Sequence, residues 1–120
     1  MSEYLTLSNA NELIRIAAES LVYVASEGNY SDIYTRDGEK RTVTVQLGII
    51  EELIHQQFQR PDDFARIGKS LIVNMELIHY INPAKKQLVL SDCNTFKFNL
   101  EASKEALKHL KEYFEKERKQ

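Results

Sequence analysis

The chain has 120 residues, 42% of them hydrophobic, and a formal net charge of −2, a balance that suits one ordinary core over residues 1–120, built without disulfides or metal. A single cysteine, Cys93, excludes an internal disulfide and is the usage of a reducing, cytoplasmic compartment. No apolar run nears the roughly 20 residues of a membrane span, and no signal peptide leads the chain.

Taken in order, Tyr4 to Leu7 and Leu13 to Ile16 read as short strands joined by the polar loop Ser8 to Asn11. Leu21 to Val24 is a third strand. Glu27-Gly28-Asn29 has turn chemistry, and Ser31 to Thr35 alternates polar with apolar side chains. Asp37-Gly38 marks a hairpin turn because both residues tolerate positive φ, and Arg41 to Gln46 returns as a strand. The period then changes. Ile49, Ile50, Leu53 and Ile54 recur at helical spacing and predict a short amphipathic helix ending near Gln57. Pro61 and the two aspartates after it form a loop.

Beyond that loop, Phe64 to Ile67, the apolar run Leu71-Ile72-Val73, Leu77 to Ile81 and Gln87 to Leu90 all read as extended chain. Turns fall at Asn82-Pro83 and Asp92-Cys93-Asn94, and Thr95 to Leu100 sets Phe96 and Phe98 among polar neighbours. A closing helix carries Ala106, Leu107, Leu110, Tyr113 and Phe114 on one face. Roughly nine short strands and two helices make a mostly β fold with many hairpin connections.

Catalytic chemistry finds no foothold in this pattern. His55, His79 and His109 lie on three different elements, none with a second His or Cys at metal-ligand spacing. No serine sits in a G-x-S-x-G elbow, and Glu51-Glu52 is solvated helix charge. Gly68-Lys69-Ser70 matches the end of a phosphate-binding P-loop, but the glycine required five residues earlier is Asp63. A carboxylate there would repel the phosphates, and the apolar run after Ser70 is extended rather than helical. The expectation is a non-enzyme without cofactor or metal.

Charge is distributed unevenly. The first 59 residues carry four basic and nine acidic side chains, the remainder twelve and nine, which permits one basic face on an acidic molecule. Three turns place short donors and cations at the edge of an element: Glu27 to Ser31, Arg66 to Ser70, and Ala102-Ser103-Lys104. Loops of this kind, held by a sheet, suit phosphate contact and groove insertion. Turn chemistry alone also accounts for their Gly, Asn and Ser.

Together these stretches resemble the LytTR family of bacterial DNA-binding domains. "LVYVASEGNYSDIYTRDGEK" resembles the family's opening strand pair around an E-G-N-Y turn. "FARIGKSLIVN" resembles its central motif, commonly F-x-R-[VI]-H-[RK]-S-[YF]-[LI]-[VI]-N, and "IHYINPAKKQLVLSD" the strand pair that follows. The resemblance runs from about Leu13 to Leu110. It implies an elongated arrangement of small antiparallel sheets with a C-terminal helix, and DNA contact through loops rather than a recognition helix. Such domains usually follow a phosphorylated receiver domain in response regulators. This sequence holds none, so it resembles the stand-alone versions, unless it is an excised fragment of a longer chain.

Carried over residue by residue, the resemblance puts Tyr30, with Asn29 beside it, in the first contact loop, and Lys69 and Ser70 in the second. Arg66 and Asn74 match motif positions that also serve structure, in a strand and at a turn. The third contact, usually S-R before the last helix, best matches Ser103-Lys104; that alignment needs extra residues around Thr95 to Leu100, which makes Asn99 a rival for the serine's place. Gly68 stands where the family commonly has histidine, removing an imidazole contact while letting the backbone come closer.

The implied function is sequence-specific binding of double-stranded DNA in transcription regulation, with a second copy on a repeated half-site as a further partner. The alternative is a β-rich protein-interaction module that keeps the fold without the DNA. Gly68, Lys104 in place of arginine and the negative net charge favour that alternative.

Overall fold

The computed structural model describes residues 3–117. Among these, ten strands and two α-helices follow one another as β1 (Tyr4–Ser8), β2 (Leu13–Ala17), β3 (Leu21–Glu27), β4 (Tyr30–Thr35), β5 (Lys40–Val43), α1 (Leu47–Gln57), β6 (Phe64–Ile67), β7 (Leu71–Asn74), β8 (Ile78–Asn82), β9 (Gln87–Ser91), β10 (Lys97–Glu101) and α2 (Lys104–Glu117). All pairings are antiparallel and fall into three small sheets: β1-β2, β5-β4-β3-β7-β6 and β10-β9-β8. The molecule measures 46 × 33 × 27 Å, the elongated, mostly β architecture anticipated from the sequence.

The five-stranded sheet is the middle layer, covered on both faces. On one side Leu21, Val24, Ile33 and Ile72 meet Leu5 and Ile16 of the β1-β2 hairpin and Ile50 and Ile54 of α1. On the other, Val22, Tyr23 and Val73 meet Leu88 and Leu90 of the three-stranded sheet and Leu107 and Leu110 of α2. Burial on both faces is why β3 reads as an unbroken apolar run, Leu21 to Val24, instead of an alternation. A register shift between Leu21 and Tyr23 sends Val22 and Tyr23 to the same side, as a β-bulge does. Tyr23 stacks on Tyr34 with ring centroids 4.2 Å apart, and both meet Phe98 edge-on. This aromatic cluster anchors β10 to the central sheet, and with it the approach to α2.

Most strands run one to three residues beyond the expected bounds, β3 as far as Glu27, and three boundaries fall short of the expectation for a local reason. β5 stops at Val43 rather than Gln46, because the chain turns there into α1 and the Ser31 hydroxyl donates to the Val45 carbonyl at 2.6 Å. β8 begins at Ile78 rather than Leu77, since Met75–Leu77 forms a 3₁₀ turn capped by Asn74. β10 begins at Lys97 rather than Thr95: the Asp92 carboxylate accepts from the N–H groups of Asn94, Thr95 and Phe96 and from the Thr95 hydroxyl, holding that stretch as a loop. Phe64 is only half-buried, tilted against Phe58 at 5.4 Å between centroids.

Candidate nucleic-acid interface

β3 runs antiparallel to both β4 and β7, so the β3-β4 turn and the β6-β7 turn emerge at the same end of the central sheet. Ala25 pairs with Leu71, and one step further the Ser26 N–H donates to the Ser70 carbonyl at 2.8 Å. That bond ties together two loops about 40 residues apart in the chain. The β3-β4 turn carries Gly28 at φ +65, and its exposed Asn29 and Tyr30 stand at the tip, with Tyr30 opposite Glu27.

Gly68-Lys69-Ser70 forms the β6-β7 turn. Gly68 has φ +63, a left-handed conformation in which glycine is at ease and side-chain-bearing residues are strained. A Cβ there would meet nothing nearer than the Ala106 Cβ at 4.0 Å, so glycine answers a backbone requirement rather than a shortage of space. Lys69 and Ser70 are exposed.

Arg66 braces this turn from below. Its guanidinium donates to the Lys69 carbonyl at 3.1 Å and to the Glu51 carboxylate of α1 at 2.7 Å. It therefore positions the loop while its own charge is already paired. Lys69, Lys86 and Lys104, by contrast, have no ion-pair or hydrogen-bond partner for their ammonium groups among the described residues.

The start of α2 closes the arrangement. The Ala102 N–H donates to the Lys86 carbonyl at 3.2 Å, and the Ser103 hydroxyl accepts from the Ala106 N–H at 3.1 Å, capping the helix. A cleft of about 650 Å³ separates this segment from the β6-β7 turn, with Lys69, Ser70, Lys86, Glu101 and Ser103 along its walls. Lys104, the first residue of α2, is exposed beside it.

Eight of the residues singled out by sequence thus fall on or behind three neighbouring loops: Asn29, Tyr30, Arg66, Gly68, Lys69, Ser70, Ser103 and Lys104. The remaining two lie elsewhere. Asn74 ends β7 far from the turn and is buried; its amide donates to the Leu21 carbonyl at 3.0 Å and its oxygen accepts from the Glu76 N–H at 3.0 Å. It has a structural task and almost no surface. Asn99 lies within β10, opposite Val89 and exposed, outside the three loops. Ser103, at the cap of α2, lines the cleft beside the β6-β7 turn, and Asn99 does not. Lys86, in the Lys85-Lys86 doublet after Asn82-Pro83, was not singled out by sequence, and the fold places it on the wall of this cleft.

Among the described residues, no group of three His, Cys, Asp or Glu side chains could hold a metal ion, and no helix is long and apolar enough to cross a membrane.

The family model described as the LytTr DNA-binding domain matches residues 11–115. Among solved structures, the chain is similar to the LytTr DNA-binding domain of a protein described as a methyl-accepting/DNA response regulator from Bacillus cereus. The two are 19% identical with a TM-score of 0.62, over 93% of this chain and 96% of that one. At that identity the likeness concerns the fold. No curated protein matches.

Proposed function

We propose, since this chain belongs to the LytTr DNA-binding domain family, that it is a cytoplasmic transcription regulator reading a specific duplex sequence through its loops. The observation that carries this reading is the convergence of the β3-β4 turn, the β6-β7 turn and the start of α2 on one end of the molecule. Phosphate contacts fix a protein's register on DNA, while base-edge contacts supply sequence discrimination.

Lys69 and Lys104 carry unpaired point charges suited to phosphates. Ser70 and Ser103 add short hydroxyls, and Tyr30 and Asn29 project from the neighbouring tip toward a groove. Gly68 lets the backbone approach closely. Arg66 acts by holding the turn, and Asn74 and Asn99 serve through the fold rather than by contact.

Selection from a random duplex pool by gel shift, followed by sequencing, tests the reading. Enrichment of one consensus supports it, and a repeated half-site in that consensus would report a second copy of the chain on the DNA. Glu27 beside Tyr30 and Glu101 in the cleft favour the second reading, a protein-interaction module. A pool that shows no enrichment and no retained duplex would select that module over the regulator.

A further inference from the structure

Lys86 is one of only two non-glycine residues at positive φ among those described, at +56. Its backbone is held from both sides: its N–H donates to the Pro83 carbonyl at 3.1 Å, and its own carbonyl accepts from the Ala102 N–H at 3.2 Å. The preceding Lys85 N–H donates to the Asn82 side chain at 3.1 Å. A lysine is therefore fixed where glycine or asparagine is the usual occupant, and backbone strain of this kind gathers at ligand-binding positions.

The fixed backbone places Lys86 on the wall of the same cleft as Lys69, Ser70 and Ser103, with its ammonium unpaired among the described residues. Lys69 and Lys86 share the cleft with one carboxylate, Glu101, so its walls keep a net positive charge that attracts an anion. Duplex DNA supplies such anions at regular spacing along its backbone.

We infer that Lys86, on the β8-β9 turn, is a further DNA contact that binds a backbone phosphate at the cleft it shares with Lys69. This rests on the DNA-binding reading and adds a fourth loop to the three already implicated. As a phosphate contact, Lys86 contributes affinity to every duplex alike and no sequence preference.

The test compares the parent chain with Lys86→Gln, Lys86→Gly and Lys86→Arg by fluorescence anisotropy across a salt series, on a selected duplex and a scrambled one. Glycine relieves the left-handed backbone, so Lys86→Gly removes the charge with the turn intact; circular-dichroism melts check the fold of each variant. Loss of one phosphate contact makes the slope of log K against log salt shallower by about 0.9. The expected result is that shift for both Lys86→Gln and Lys86→Gly, equal weakening on both duplexes, and parent-like binding by Lys86→Arg.

Unchanged slopes for Lys86→Gln and Lys86→Gly, alongside a parent that binds and a Lys69→Glu variant that does not, overturn the inference and leave the DNA face standing. Parent-like binding by Lys86→Gly alone also overturns it, since the backbone and not the charge would then matter. A parent that binds no duplex overturns the DNA reading and this inference together.

Discussion

The Ser26 N–H donates to the Ser70 carbonyl at 2.8 Å, joining the turn that carries Tyr30 to the turn that carries Lys69. The strand pairing of β3 with β7 ends at this bond, so the geometry of the two loops is set by the central sheet. Loops held this way present their side chains at fixed separation, which is what recognition of a regular phosphate backbone requires.

In the proposed interface, Gly68 is where stability and contact chemistry would be coupled. Gly68→Ala should destabilise by about 1 kcal/mol, from the left-handed backbone alone, because the nearest atom to a Cβ is at van der Waals distance. Gly68→His should lose a similar amount of stability and gain DNA affinity through the added imidazole. Urea melts beside anisotropy titrations separate the two effects. A Gly68→Ala variant as stable as the parent would show that the turn does not need glycine.

Asn74 should behave oppositely. Removing its buried amide in Asn74→Ala orphans the Leu21 carbonyl and the Glu76 N–H, a loss of about 1–3 kcal/mol. The molecules that remain folded should bind the selected duplex as the parent does. An Asn74→Ala variant with parent stability and impaired binding would move this residue onto the DNA face.

Asp92 confers a pH dependence. The Thr95 hydroxyl first, and then the N–H groups of Asn94, Thr95 and Phe96, hold its carboxyl well below the usual carboxylate range. A depressed folded-state pKa contributes stability that is present above the unfolded value, about 3.9, and is lost as pH falls toward the folded one. Stability should therefore decline below about pH 4, and Asp92→Asn should flatten that decline. Equal acid sensitivity in the two chains would show that the loop does not depend on the ionised carboxylate.

Binding should be steeply salt-dependent, because a few lysines act against an acidic body of net charge −2. With about three phosphate contacts, log K should fall against log salt with a slope of about −3, from roughly −0.9 per contact. A flat response would favour a protein partner.

Much of the fold was legible locally. The change from period 2 to period 3.6 after Gln46 announced α1, and Asp37-Gly38 announced the β4-β5 turn, because side-chain alternation and positive φ are properties of short stretches. The pairing of β3 with β7 was not legible. Alternation reports which face a residue occupies, never which distant strand lies beside it, and β3 is apolar on both faces. For the same reason the sequence showed Lys69 and Ser103 as separate candidates, while their shared cleft and the place of Lys86 in it emerged only from the tertiary fold. The sequence left Asn74 between contact and structure, because a buried, hydrogen-bonded amide and an exposed contact amide look alike in a motif; its burial emerged only from the fold. The boundary at Thr95 was hidden by Asp92, whose side chain takes three N–H groups away from the ladder.

Lys69→Glu tests the DNA face most directly. Lys69 is exposed on its turn, without a partner for its ammonium among the described residues, so the substitution should change stability by no more than about 0.5 kcal/mol. Beside a phosphate the same change turns attraction into repulsion. Circular-dichroism melts and anisotropy titrations on the selected duplex should show a parent-like melting temperature with binding abolished, and Lys69→Ala should fall between. A Lys69→Glu chain that binds the duplex as tightly as the parent would contradict a DNA face at this end of the sheet.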